Sequence, residues 1–204
     1  NLCEAFYKLG NYLHKLSKYE EATVNYVKAL TIKPRHAKAS FNLGVTFSAQ
    51  GKLEEAVKSY IASLTSDPNQ AEPHSNLGNV LVKLKRYNDA VESYLKALSI
   101  KPDYAEAHFN LGVAYRDMGM LTEAKASYHD ALAIRPGYVE VWNNLKYVTK
   151  ALQSQDEDDL TKLSSHARAS NEFAFQQFYL DSFRPHQADE SLKKAITTLP
   201  AKSD

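Results

Sequence analysis

The chain has a single cysteine, Cys3, so it cannot form an internal disulfide bond, and we expect this thiol to be a small buried apolar group. Its formal net charge is +1, which gives no general attraction to nucleic acid or to a membrane surface. No apolar run approaches the roughly 20 residues of a membrane-spanning helix, and no secretory signal is visible. These absences, with 44% hydrophobic and 24% charged residues, predict a soluble protein, and we expect it in the cytoplasm.

Motifs of catalysis and of cofactor binding are also missing. The glycines stand singly, so there is no glycine-rich phosphate loop, and no helix carries a two-histidine metal spacing. His74 and His108 occupy the same place in a repeat, and we expect them to pack between helices. The acidic run 156–159 lacks the glycine and the final glutamate of a calcium loop, so it is predicted to be a solvated helix start. The sequence therefore predicts no enzyme, no cofactor and no metal.

What the chain does contain is a repeat of 34 residues. Its clearest copy runs from Ala105 to Tyr138. The repeated positions there are Leu111, Gly112, Tyr115, Ala124, Tyr128, Ala131 and Pro136. One, two and three periods earlier they are Leu77, Gly78, Leu81, Ala90, Tyr94, Ala97 and Pro102; Leu43, Gly44, Phe47, Ala56, Tyr60, Ser63 and Pro68; and Leu9, Gly10, Leu13, Ala22, Tyr26, Ala29 and Pro34. A fixed period of this size indicates a solenoid.

Each unit is predicted to be a helix–turn–helix. Apolar residues follow a helical spacing in both halves of the unit, a polar break separates the halves, and a proline ends the second helix. The first helices are expected to end in a left-handed residue, which is Gly51 or Gly119 in two units and Ser17 or Lys85 in the others. The predicted units are 3–36, 37–70, 71–104 and 105–138, with the first helix of a fifth unit at 139–154.

At these positions the chain resembles the tetratricopeptide repeat (TPR) family, over about residues 3–154. The resemblance implies an all-α fold, a right-handed α-solenoid or TPR superhelix. The predicted domains are a TPR array at 1–155 and, from the sequence pattern beyond the resemblance, a C-terminal helical segment at 156–204. It says little about function, because the family is a scaffold with many roles. We also expect the chain to be a fragment, because it begins without Met and almost on a unit boundary.

The repeat fails after residue 152, where residues 153–159 are polar and acidic and predict a turn before a new helix. The segment that follows contains several aromatic residues, among them Phe173, Phe175, Phe178 and Tyr179. Three interpretations stay open for it. It caps the open apolar end of the array, it docks on a second molecule and gives self-association, or it begins a further domain.

The candidate site follows from the resemblance, which implies that the first helices line a concave groove. The sixth residue of four units is asparagine, and a carboxamide both donates and accepts hydrogen bonds. Such a row resembles the asparagine ladder in the TPR region of O-GlcNAc transferases, which holds peptides by their backbone. The alternative is that these amides bond a neighbouring helix and that the aromatic residues beside them belong to the core. The candidate peptide-binding residues are Asn42, Asn76, Asn110 and Asn144, with Tyr7, Phe41 and Phe109 at the fifth position and Asn11 and Asn79 at the ninth.

The sequence therefore predicts a non-catalytic scaffold that binds an extended peptide or protein segment along the groove. A second interpretation is the substrate-recruiting TPR arm of a larger O-GlcNAc transferase-like enzyme, and a third is a self-assembling building block. Glutamates such as Glu72 and Glu106 stand where a clamp for a C-terminal carboxylate needs a cation, so such a ligand is not expected.

Overall fold

A computed structural model describes the backbone of residues 1–169 and the side chains of residues 1–155. Over these residues the chain forms helices and no strands, so the predicted all-α solenoid of helical repeats is confirmed. The helices are α1 (Leu2–Lys15), α2 (Tyr19–Ile32), α3 (Ala37–Ala49), α4 (Leu53–Ser66), α5 (Ala71–Lys83), α6 (Tyr87–Ile100), α7 (Ala105–Asp117), α8 (Leu121–Ile134) and α9 (Val139–Ala169). None of these helices is both long enough and apolar enough to cross a membrane.

The two helices of each unit pack closely because a glycine of the first faces a tyrosine of the second. A Cβ atom built on Gly78 would lie 2.6 Å from a ring carbon of Tyr94, closer than any side chain tolerates. That ring is 1% exposed, so it has no room to move away. The same pairing occurs in the other units as Gly10–Tyr26, Gly44–Tyr60 and Gly112–Tyr128. The repeated glycine therefore exists to admit an aromatic ring between the helices.

The turn inside each unit uses one left-handed residue, as predicted. Gly51 and Gly119 have φ of 74° and 78°, and Ser17 and Lys85 have φ of 58° and 59°. Residues other than glycine adopt this backbone conformation only at a cost in free energy, so the turns at Ser17 and Lys85 are strained.

The turn predicted at residues 153–159 is wrong, because α9 continues without a break from Val139 to Ala169. This stretch contains no proline and no glycine, and its polar residues are compatible with a helix. The loss of the small and aromatic repeat residues removes the packing of a second helix but not the helical propensity of the chain.

The chain divides into two compact units, Asn1–Leu152 and Gln153–Asp204. The first unit contains α1 to α8 and the start of α9, whose Val141, Leu145 and Val148 are buried with Tyr128 in one apolar cluster. The predicted cap or exchanged tail, with its aromatic residues, lies outside the described residues.

Candidate functional site

The first helices form the inner side of the array. Among α1 to α8, each first helix approaches the first helix of the next unit, whereas no second helix approaches another second helix. Elements that lie closer together on one side produce curvature towards that side, so α1, α3, α5 and α7 line a concave face. The sequence-predicted amides and aromatic residues belong to these helices and to the start of α9.

On this face, Asn11 and Asn42 form a hydrogen-bonded pair between units one and two. The Asn42 Nδ2 donates to Asn11 Oδ1 at 2.7 Å and lies 3.4 Å from the Tyr7 hydroxyl. The buried Tyr26 hydroxyl donates to the same Asn11 Oδ1 at 2.8 Å. Asn42 Oδ1 and Asn11 Nδ2 have no partner among the described residues, and both side chains are half-buried.

The arrangement recurs two units later with Asn79 and Asn110. The Asn110 Nδ2 donates to Asn79 Oδ1 at 2.9 Å, and the buried Tyr94 hydroxyl donates to that oxygen at 2.8 Å. Asn110 Oδ1 and Asn79 Nδ2 are again left without a partner in the described part of the chain. We refer to Asn11–Asn42 and Asn79–Asn110 as the two amide pairs.

The other two predicted asparagines have different surroundings. Asn76 makes no hydrogen bond with any described residue, because the ninth residue of the preceding unit is Val45 rather than asparagine. Asn144 accepts from the Arg116 guanidinium and donates to the Glu140 carbonyl at 2.8 Å. The four asparagines therefore do not form a uniform row, although each is half-buried on the same face.

A valine at the ninth position also removes the hydrogen-bond acceptor for the buried tyrosine of the same unit. In unit four this residue is Val113, and the Tyr128 hydroxyl is buried without a hydrogen-bond partner. Burial raises the pKa of Tyr128 to about 12. It also raises the pKa of Tyr26 to about 12, with the Asn42 hydrogen bond acting in the opposite direction.

The predicted aromatic residues at the fifth position pack partly into the array. Each ring contacts the buried tyrosine of its own second helix, at centroid distances of 6.3 Å for Tyr7–Tyr26, 5.9 Å for Phe41–Tyr60 and 6.0 Å for Phe109–Tyr128. All three side chains are half-buried, so part of each remains accessible from the concave face. Unit three lacks this ring, because its fifth residue is the buried Ser75.

A cleft of about 250 Å³ opens between α1 and α3. It is lined by Asn11, His14, Lys15, Tyr26, Asn42 and Val45. The Thr46 hydroxyl donates its one proton to the main-chain carbonyl of Asn42 at 2.7 Å. It must therefore accept from His14 Nδ1, which lies 2.9 Å away. His14 Nδ1 therefore carries a hydrogen and is the donor of this bond.

The sequence did not single out His14, Lys15 or Arg116, although all three belong to the concave face. They stand at the twelfth and thirteenth positions, where the residue changes from unit to unit, so the repeat gives no signal for them.

His74 and His108 bond main-chain carbonyl groups rather than other residues of the concave face. Their Nε2 atoms donate to the carbonyls of Pro68 and Pro102 at 3.2 and 2.9 Å. The described residues contain no group of three or more side chains that could hold a metal ion.

Comparison of the sequence with protein-family models identifies the repeat. The family model described as TPR repeat matches residues 10–51, 46–85 and 78–119, and the model described as tetratricopeptide repeat matches residues 105–138. Together these matches cover more than half of the chain. The chain belongs to the tetratricopeptide repeat family. A search of curated proteins gives no match for this TPR chain.

Solved structures resemble the fold of this TPR array. A crystal structure of MamA protein aligns with a TM-score of 0.72 and 18% identity, over 92% of this chain and 97% of that one. YrrB, described as a TPR protein with an unusual peptide-binding site, aligns at 0.66 and 22%, over 86% and 90%. The first TPR of Spaghetti (RPAP3), bound to the HSP90 peptide SRMEEVD, aligns at 0.57 and 26%, over 57% and 93%.

Proposed function

We propose that this chain is a non-catalytic protein-interaction scaffold that binds an extended peptide or protein segment along its concave face. The proposal rests on the carboxamide atoms that the two amide pairs leave unpaired. Each pair leaves one carboxamide oxygen and one carboxamide nitrogen without a protein partner. A peptide unit offers one N–H donor and one C=O acceptor, so it complements each pair.

The spacing of the amide pairs suits an extended chain. Neighbouring packed helices lie about 8–10 Å apart, so two units correspond to about 20 Å. An extended peptide advances about 3.3 Å per residue, so roughly six residues separate the segments bound by the two pairs. The half-buried rings of Phe41 and Phe109 lie on the same helices as Asn42 and Asn110. They favour a ligand with some apolar side chains.

Two solved relatives support this direction, because RPAP3 is described with a bound peptide and YrrB with a peptide-binding site. A C-terminal carboxylate is not the proposed ligand here. Glu72 is exposed on this face, and Glu106 accepts a hydrogen bond from Arg135 that holds its pKa below the usual range. The lowered pKa keeps Glu106 negatively charged at this margin of the groove.

The test is a selection from a library of linear peptides, followed by affinity measurement with the full chain. Combining Asn42→Ala with Asn110→Ala should weaken a selected peptide at least tenfold, because backbone hydrogen bonds at both pairs are lost. The matched control is Asn88→Ala, an exposed asparagine on α6, which should leave affinity unchanged. Methylating single backbone nitrogens of the peptide should weaken binding at positions that face a pair. Equal binding by the double variant and the control, both shown to be folded by circular dichroism, would refute backbone recognition by the amides.

One observation favours a second candidate. Asparagine at the sixth position of four consecutive units is the feature that resembles the O-GlcNAc transferase ladder, so the same face would suit the substrate-recruiting arm of a larger enzyme. Isolating the native protein and assaying the complex for glycosyl transfer to the selected peptide tests this role. Self-assembly through Phe173, Phe175, Phe178 and Tyr179 stays a further proposal, tested by comparing the solution mass of the chain with that of a form ending at Ser154.

A further inference from the structure

The residues that line the cleft between α1 and α3 recur, with one exception, two units further along the array. Five of the six have an identical counterpart on α5, α6 or α7, and these counterparts are Asn79, Lys83, Tyr94, Asn110 and Val113. The exception is His14, whose counterpart is Val82. We refer to the cleft that contains His14 as the histidine cleft and to the equivalent set of residues around Val82 as the valine site.

A second residue changes together with the histidine. His14 Nδ1 donates to the Thr46 hydroxyl on α3 at 2.9 Å. The counterpart of Thr46 is Ala114, and both residues are 0% exposed. The polar pair His14–Thr46 is therefore replaced by the apolar pair Val82–Ala114. Since α5 approaches α7 as α1 approaches α3, two first helices pack at this level without that hydrogen bond.

The histidine ring is held so that one of its nitrogen atoms is left for a ligand. The Thr46 bond fixes Nδ1, and the Tyr19 ring lies 5.3 Å from the imidazole, centroid to centroid. Nε2 has no partner among the described residues, and the side chain is half-buried in the wall of the cleft. Lys15 beside it is exposed. The histidine cleft thus presents an ammonium group and an imidazole nitrogen, whereas the valine site presents an ammonium group beside methyl groups.

Backbone recognition by the two amide pairs does not fix the register of a peptide. The pairs offer the same donors and acceptors, so a peptide unit that fits one pair fits the other equally well. A carboxylate beside the first pair would accept from the Lys15 ammonium and from the imidazolium form of His14. Beside Val82 a carboxylate would lose part of its hydration without gaining this second donor. An aliphatic side chain has the opposite preference, because it gains from contact with Val82.

We propose that His14 and Val82 set the register of the bound peptide, with an acidic side chain of the ligand in the histidine cleft and an aliphatic side chain at the valine site. The ligand is then a segment in which these two side chains stand about six residues apart, the interval between the amide pairs. This inference rests on the proposed binding of a peptide along the concave face. It adds to that function the chemistry of the segment that binds.

A library of peptides with blocked termini, made in two halves, tests the register. One half has glutamate about six residues before leucine, the other has the same two residues in reverse order, and the remaining positions are randomised. Selection on the full chain should enrich one half about fivefold or more over the other. His14→Val makes the two sets of lining residues identical, so it should abolish the preference. His129→Val replaces an exposed histidine on α8 and should leave the preference unchanged.

Exchanging the two pairs should reverse the preference. The exchange combines four substitutions between equivalent positions, which are His14→Val, Thr46→Ala, Val82→His and Ala114→Thr. Circular dichroism checks that each variant folds. His14→Val introduces the side chain that unit three already carries at this position, so it decides the outcome even where the fourfold exchange does not fold.

The outcomes separate this inference from the proposed function. Equal enrichment of the two halves by the unsubstituted chain, or a preference that survives His14→Val, would overturn the inference and leave backbone recognition by the amides standing. Binders that come from an unrestricted library but from neither half would overturn it in the same way. An absence of binders from both libraries would refute the proposed function and this inference together.

Discussion

Removing one hydroxyl group from two equivalent tyrosines should change stability in opposite directions. Tyr94 and Tyr128 occupy the same repeat position and are 1% and 0% exposed. The Tyr94 hydroxyl donates to Asn79 Oδ1 at 2.8 Å, whereas the Tyr128 hydroxyl is buried with no partner among the described residues. Substitution by phenylalanine keeps each ring and deletes only the oxygen.

The magnitudes follow from these surroundings. Tyr94→Phe loses one hydrogen bond, which is worth about 1 kcal/mol net, while Asn79 keeps its bond from Asn110. Tyr128→Phe removes a buried hydroxyl whose lost hydration costs about 1–3 kcal/mol, so stability should rise by about 1 kcal/mol. The two variants should therefore differ by about 2 kcal/mol in the free energy of unfolding. For a chain of this size that corresponds to a difference of about 4–8 °C in Tm.

Urea unfolding followed by circular dichroism measures this difference, with Tyr26→Phe as a repeat of the hydrogen-bonded case, since its hydroxyl donates to Asn11. The dependence of free energy on urea should be the same in all variants, which would show that only stability has changed. A Tyr128→Phe protein that is destabilised as much as Tyr94→Phe would refute the reasoning, because the ninth-position residue would then have no effect on the tyrosine beneath it.

Two further predictions concern the same packing. Gly78→Ala should destabilise the fold by about 1–3 kcal/mol, because the new Cβ would meet the Tyr94 ring at 2.6 Å. Gly51 has open space around it and φ of 74°, so Gly51→Ala should cost about 1 kcal/mol through backbone conformation alone. Thermal unfolding of both variants checks this, and equal losses would contradict it. Stability should also fall as pH rises from 10 towards 12, because the unfolded chain releases tyrosine protons near pH 10 while the folded chain keeps that of Tyr128 until about 12; Tm against pH measures this fall, and Tyr128→Phe should make it shallower.

The fold was predictable because each repeat position has a local cause. Gly78 must be small for the Tyr94 ring, and the left-handed residues at Gly51 and Lys85 follow from the end of a first helix. The turn predicted within α9 was wrong because the end of the repeat was taken for the end of the helix. The repeat residues that build a second helix are missing there, but nothing in residues 153–159 ends a helix.

The candidate site was predictable only in outline. The sequence places Asn42, Asn76 and Asn110 at one repeat position, yet it does not show which carboxamide atoms are already bonded. That depends on a residue 31 positions earlier, which is Asn11 for Asn42 but Val45 for Asn76. His14 and Arg116 could not be found from the repeat, because their positions vary from unit to unit.

The alternation of asparagine and valine at the ninth position also makes the junctions between units respond differently to temperature. Units one and two, and units three and four, are joined on the concave side by an amide hydrogen bond. Units two and three have no such bond and rely there on the apolar cluster that contains Tyr60 and Leu77. Apolar burial contributes less to stability on cooling. The central junction should therefore loosen first in the cold, and the array would then bend between two blocks of two units each.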